Sequence, residues 1–140
     1  MSTRSIIGVQ DGKLIKAIYC HWDGYVSHNG RILYESYGLE KTHKLIALGD
    51  LSSLRENIEP TGAHSFDKPQ DGVCVFYGRD RGEDDTVFRV FQSEADMVDS
   101  NEGCDFFYIL RDDGNWYVSD DEGTTWKLVS DIILSEKENA

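Results

Sequence analysis

Ser5-Ile6-Ile7-Gly8-Val9 and Leu14-Ile15-Lys16-Ala17-Ile18-Tyr19-Cys20 are two β-rich runs separated by Gln10-Asp11-Gly12-Lys13. An Asp-Gly pair between such runs is a strong hairpin signal, because both central residues of a type I′ turn take positive φ. The spacing therefore predicts an antiparallel hairpin. Cys20-His21-Trp22-Asp23-Gly24-Tyr25 follows at once, where the period-2 pattern gives way to a helical one. Polar and aromatic side chains are thus delivered to a strand–helix junction, the densest group of chemically capable residues in the chain.

Outward from that junction, Val26, Gly30, Leu33 and Tyr37 recur at helical spacing, with Gly38 as the stop. Residues 39–48 make a second helix, stopped by Gly49, with Leu45 and Leu48 facing inward; Asp50 opens one more turn that tucks in Leu51 and Leu54. Pro60, Gly62, Pro69 and Gly72 punctuate residues 55–72, a long surface loop. Residues 73–77 and 86–91 form a strand pair around the mixed-charge stretch Gly78-Arg79-Asp80-Arg81-Gly82-Glu83-Asp84-Asp85. Ser93-Glu94-Ala95-Asp96 has the form of a capping box and starts a short helix reaching about Ser100.

Phe106-Phe107-Tyr108-Ile109-Leu110 and Trp116-Tyr117-Val118 flank the turn Asp112-Asp113-Gly114-Asn115. Ser119-Asp120-Asp121-Glu122-Gly123-Thr124-Thr125-Trp126 fits Ser-x-Asp-x-Gly-x-Thr-Trp at each fixed position. It resembles the Asp-box, a β-hairpin signature of sialidases and other β-rich secreted or carbohydrate-active proteins. Its physics is local: Asp121 accepts hydrogen bonds from the turn, Gly123 takes a conformation that a Cβ obstructs, and Trp126 packs back under the hairpin. A propeller needs several four-stranded blades. With one box and no internal repeat, the resemblance implies a hairpin and no sialidase activity. It sets three consecutive antiparallel strands at 106–111, 116–119 and 125–129, before a last helical turn at 131–134.

These elements make a single α+β domain over residues 1–134 with a frayed polar tail at 135–140. The expected sheet has about seven mainly antiparallel strands: a hairpin, two helices, a strand pair, a short helix and a three-stranded meander. The helices cover one face. The other, bearing Phe88, Phe107 and Tyr117, is partly exposed and offers a route to homo-oligomers.

The formal net charge of −12 is unevenly spread: residues 1–48 hold 6 Lys/Arg against 4 Asp/Glu, and residues 49–140 hold 8 against 22. Such a surface repels phosphate backbones, which disfavours DNA and RNA and points to a basic protein partner or to solubility alone. Asp80, Glu83, Asp84, Asp85, Asp112, Asp113 and Asp120 are the candidate partner contacts. No apolar run approaches the roughly 18 residues of a membrane span, so a cytoplasmic protein that loses only Met1 is expected. The 3 cysteines include no C-x-x-C pair, which argues against a disulfide framework and a zinc site. No EF-hand register fits the acidic turns, and no metal or cofactor is expected.

For a small ligand the candidates are His21, Asp23 and Tyr25, joined by Arg79 and Arg81. Cys20, His21, Asp23 and His28 are competent ligands or nucleophile–base partners, but strand neighbours point to opposite faces, so Cys20 and His21 reach one atom only through a bend. The plainer alternative puts Cys20 and Trp22 in the core, His21 on the surface and Asp23 as a helix cap. Arg79 and Arg81 could clamp an anion bidentately or belong to a self-neutralised hairpin tip. Ser2, if Met1 is removed, stands where an N-terminal nucleophile would, with nothing else in support. No catalytic residue is assigned.

Ser2-Thr3-Arg4-Ser5-Ile6-Ile7-Gly8, Ile18-Tyr19-Cys20-His21-Trp22-Asp23-Gly24-Tyr25, Leu45-Ile46-Ala47-Leu48-Gly49-Asp50-Leu51-Ser52 and Tyr77-Gly78-Arg79-Asp80-Arg81-Gly82-Glu83-Asp84 resemble blocks of a family of small bacteriophage and prophage proteins. The resemblance implies a setting, the cytoplasm of an infected bacterium, and no chemistry. The expected function is a non-enzymatic module that binds a host protein through an acidic surface, in host takeover or against a defence system, with nucleic-acid mimicry as one form of it. The alternative is a nucleotide or small-molecule binder, or a small hydrolase, around His21, Asp23, Arg79 and Arg81.

Overall fold

A computed structural model describes residues 2–100 and 103–138; loss of Met1 and the end of the polar tail, residues 139–140, lie outside them. The hairpin forms as the Asp-Gly turn dictates, with β1 (Ser5–Asp11) and β2 (Leu14–Cys20) paired antiparallel from Ser5↔Cys20 to Asp11↔Leu14. A π-helical turn (Val26–Gly30) runs into α1 (Arg31–Ser36), and α2 (Leu39–Ala47) follows. Next come β3 (Leu51–Ser53), β4 (Val75–Phe76), α3 (Tyr77–Arg81), β5 (Arg89–Phe91) and α4 (Glu94–Asp99). The chain closes with β6 (Phe106–Leu110), β7 (Trp116–Ser119), β8 (Lys127–Leu128) and α5 (Val129–Glu138).

The result is the α+β architecture expected, with 8 strands among the described residues, in the order β4-β3-β2-β1-β6-β7-β8 and with β5 beside β2. Most pairs are antiparallel, but β1 runs parallel to β6 (Ile7↔Tyr108) and β2 to β3 (Cys20↔Leu51). β1 is central and covered on both faces. That is why Ser5 to Val9 are all buried and read as a continuous apolar run.

The pleat sorts the core into two layers. Ile7, Val9, Ile18, Tyr108 and Leu110 face α1, α2 and α5, meeting Leu33, Leu45, Ile46 and Ile133. Ile6, Ile15, Ala17, Phe107 and Ile109 face the other way, beneath Met97 and Val98 of α4. Burying each such side chain contributes about 1.5–3 kcal/mol. α4 sits close because β1 has Gly8 at the contact: a Cβ there would lie 2.8 Å from Met97 Sδ.

Several expectations are corrected. Helices cover both faces, and the proposed self-association face is largely closed: Phe107 is fully buried under α4, Tyr117 is partly buried, and Phe88 packs against the first layer with Lys16 Nζ over its ring. Residues 51–53 are a strand where a helical turn was expected, and residues 75–76 and 89–91 do not pair with each other. The cause is the single free edge of β2: β5 takes its first half (Ala17↔Arg89) and β3 its end, with β4 beyond β3. Gly49, at φ +90, turns the chain into β3 so close to Thr86 that a Cβ would sit 2.2 Å from its carbonyl oxygen. Gly38 (φ −84) is the N-cap of α2 and not a left-handed stop. Helix α5 runs from Val129 to Glu138, beyond the single helical turn expected at 131–134.

Candidate functional site

At the strand–helix junction, Cys20 is buried and Asn29 is its organiser. The fully buried Asn29 amide donates to Cys20 Sγ (3.4 Å), Ser5 Oγ (3.4 Å) and the Trp22 carbonyl (3.2 Å). Burial pushes the Cys20 thiol up to about 12, so it is a packed small hydrophobe and no thiolate nucleophile at neutral pH. Tyr108 Oη donates to the Gly24 carbonyl (2.6 Å), and Gly24 N–H to Thr3 O (2.8 Å), pinning the bend to the central strands.

His21 points away from Cys20, as strand alternation requires. Its Nδ1 shares a hydrogen bond with Tyr19 Oη (2.7 Å), and its ring stands edge-on to Trp22 at 4.6 Å. Burial first, then Arg4, holds its pKa below the ordinary value, which favours the uncharged ring. Trp22 is 42 % exposed and not in the core, while its carbonyl accepts from the buried Asn29 amide. Asp23, in the left-handed region at φ 58, accepts from Tyr25 Oη (3.1 Å) and caps no helix. His21, Asp23 and Tyr25 therefore split into two separate hydrogen-bonded pairs, Tyr19–His21 and Asp23–Tyr25.

Arg79 is no free clamp. Its Nε and Nη2 donate to the two Asp80 oxygens (3.0 and 3.2 Å), Nη2 also to Cys74 O (3.0 Å) and Nη1 to Ile58 O (2.7 Å), with the guanidinium 4.6 Å over Phe76. Asp80, with its side chain 7 % exposed, also accepts from Phe76 N–H (2.8 Å) and faces His64 Nε2 at 3.3 Å. His64 Nδ1 accepts from Gln70 N–H (2.9 Å), which leaves the proton on Nε2; that contact is close but off the hydrogen-bond axis. Burial pulls the Asp80 carboxyl upward, yet Arg79, the Phe76 amide and His64 together hold it below its ordinary value. Asp80 is thus an internal tie between α3 and the 55–72 loop, not the partner contact the sequence suggested. The stretch is helical rather than a hairpin tip because its carboxylate reaches back to Phe76 N–H. Arg81 is half exposed, paired with Glu83 (2.8 Å) and 4.5 Å over Phe66.

The remaining acidic candidates are exposed but dispersed. Glu83, Asp84 and Asp85 follow α3, Asp112 and Asp113 sit at the β6–β7 turn, and Asp120 at the β7–β8 turn. Four residues of β7 put roughly 13 Å between the last two turns. That exceeds the screening length of about 8 Å at physiological salt, so they do not act as one patch.

A different group converges at the β8 edge. A cleft of about 650 Å³ is lined by Tyr117, Trp126, Lys127, Leu128, Asp131, Ile132, Ser135 and Glu136. The four α5 residues are i, i+4 pairs on one helix face. A second cleft, of about 310 Å³, lies between α4 and the β7–β8 turn, lined by Glu94, Ala95, Val98, Asp99, Glu122, Gly123 and Trp126. Trp126 borders both. Its place is fixed by the turn expected from the Asp-box pattern: Asp121 Oδ1 accepts from Ser119 Oγ (2.8 Å) and Thr125 N–H (2.9 Å), and Ser119 Oγ accepts from Gly123 N–H (2.8 Å).

Between the clefts, Arg111 donates Nε and Nη2 to the Glu94 carboxylate (2.9 and 2.8 Å), 4.0 Å over Tyr117 and 5.8 Å from the Trp126 ring. None of the candidate site residues drawn from the sequence lines either cleft. The signal that could have found them is the i, i+4 spacing of Asp131, Ile132, Ser135 and Glu136 just after Trp126, cut short by ending the helix at 134. Among the described residues no His/Cys/Asp/Glu group could hold a metal ion, and no helix is long and apolar enough to cross a membrane. No protein-family model, curated protein or solved structure matches the chain.

Proposed function

We propose that the protein is a non-enzymatic binding module that docks on a basic segment of another protein through the cleft between β8 and α5. The observation that carries this reading is the composition of that cleft: an apolar floor of Tyr117, Trp126, Leu128 and Ile132 beside the carboxylates of Asp131 and Glu136. Its volume lies within the roughly 300–1,000 Å³ typical of binding pockets. Aromatic anchors in a polar rim are what a recognition hot spot needs. Glu136 is held only loosely, 4.0 Å from Arg31, and an exposed pair of that kind is worth about 0–1 kcal/mol, so a partner's cation displaces it cheaply. Lys127 stands at the lip and Arg31 lies 4.0 Å from Glu136, so a partner's cation competes with both for the two carboxylates.

The resemblance to small bacteriophage proteins supplies the context of the proposal: the basic segment belongs to a host protein, in host takeover or anti-defence. The net charge of −12 supports a protein target over nucleic acid, through fast, salt-sensitive association. The test is a pull-down from bacterial lysate at low and high salt, run with the wild type and an Asp131→Asn/Glu136→Gln variant. A partner held at low salt, released at high salt and missed by the variant is expected. A partner retained equally by both proteins would move the interface elsewhere. No partner at all, with a metabolite that raises Tm, would favour the small-ligand alternative.

A further inference from the structure

We infer that the side chain recognised at the Trp126 edge is arginine, in preference to lysine. This deepens the proposed function and rests on it. The argument starts from how the molecule holds its own arginines. Arg111 meets Glu94 through two donors, with its guanidinium over Tyr117 at 4.0 Å and 5.8 Å from the Trp126 ring. Arg79 repeats the arrangement with Asp80 and Phe76, and Arg81 meets Glu83 through one Nη2 contact while lying over Phe66.

Trp126 borders two clefts, and each brings it carboxylates: Asp99 and Glu122 on one side, Asp131 and Glu136 on the other. A planar ring beside carboxylates at two sites, around a corner already occupied by Arg111, is a surface shaped for more guanidinium groups. Guanidinium stacks on an aromatic face and bonds a carboxylate through a fixed fork, and it sheds water more readily than an ammonium. Lysine meets the same carboxylates only as a point charge. The occupant is therefore an arginine-bearing protein segment, with one arginine on Trp126 and an apolar neighbour on Leu128 and Ile132.

The experiment titrates the full chain with capped tetra-arginine and capped tetra-lysine peptides at low salt by calorimetry. Tetra-arginine is expected to bind about tenfold more tightly, the ratio that stacking of a partly desolvated cation supplies. In Trp126→Leu that preference is expected to shrink to about twofold or less, since the stacked ring supplies it. If that variant does not fold, Asp131→Asn/Glu136→Gln carries the test, with a loss of about tenfold for tetra-arginine. A control that removes the same charge elsewhere, Glu40→Gln/Glu59→Gln, is expected to change binding by no more than about twofold. Equal affinity for the two peptides overturns the arginine preference and leaves the basic-segment reading standing. Absence of binding by either peptide overturns both. An equal loss in the control variant reduces the effect to net charge and overturns the site.

Discussion

Two regions of this protein bring arginine, carboxylate and aromatic ring together, and they differ in what is left over. Around Asp80 every strong partner is consumed: Arg79 spends its donors on Asp80, Ile58 O and Cys74 O, and Asp80 takes Phe76 N–H and faces His64. The His64 and Asp80 side chains are only 3 % and 7 % exposed. Around Trp126 one pair, Arg111–Glu94, is closed, while Asp99, Glu122, Asp131 and Glu136 remain at the rims of two clefts. The same chemistry thus closes a loop in one place and leaves a surface open in the other. The closed knot holds the fold together, and the open one is where the proposed association would take place.

The largest test of this contrast is Asp80→Ala. It takes the carboxylate from the partly buried Arg79 guanidinium, from the Phe76 amide and from His64, and removing one partner of a largely buried pair costs up to about 3–5 kcal/mol. Urea denaturation should show the midpoint falling accordingly; a loss below about 1 kcal/mol would mean that the knot is solvated after all. Acid reads the same group. Because the folded-state pKa of Asp80 is depressed, its stabilisation is present above the unfolded value of about 3.9 and lost as pH falls through the lower folded value. The stability gap between wild type and Asp80→Asn should therefore narrow as pH is lowered from 5 towards 2.

A middle-sized effect is expected at the turn that places Trp126. Ser119 is buried, and its hydroxyl joins Gly123 N–H to Asp121. Ser119→Ala should cost about 1 kcal/mol, as for one hydrogen bond lost beside a turn. It should also weaken peptide binding, since Trp126 loses its support. Ser93→Ala, at the N-cap of α4, should cost about the same through the lost bond from Asp96 N–H (3.1 Å) without touching Trp126. Equal binding losses in the two variants would say that the turn has no special hold on the ring.

The closed region was the less legible in sequence. The hairpin, the Ser93 cap and the β7–β8 turn were readable because each is a local pattern: an Asp-Gly pair between β runs, a serine three residues before the amide that donates to it, five fixed positions in eight. Strand β3 was not, since three residues carry no periodicity, and β5 was read as a strand but with the wrong partner, because its pairing depends on which part of the β2 edge is free. Asp80 was read as solvated because its stretch is mixed in charge. Nothing local signals that the Ile58 carbonyl, 21 residues back, would return to Arg79. The open region was half legible: Trp126 was placed by its motif, but its neighbours on α5 arrive by helix packing, which a helix ended too early concealed.

The smallest stability effect belongs to the open carboxylates, and it separates the two regions most cleanly. Asp131 lies in the first turn of α5, where a negative charge gains about 0.3–1 kcal/mol from the helix dipole. Against that, both residues sit on a chain of net charge −12, and removing two carboxylates relieves self-repulsion. Glu136 gives up only its long contact to Arg31. These contributions oppose one another, so Asp131→Asn/Glu136→Gln should leave the denaturation midpoint within about 0.5 kcal/mol of wild type, the usual range for surface substitutions. If the double variant instead lost stability on the scale of Asp80→Ala, those carboxylates would be structural like Asp80, and the cleft would be a closed site rather than an open one.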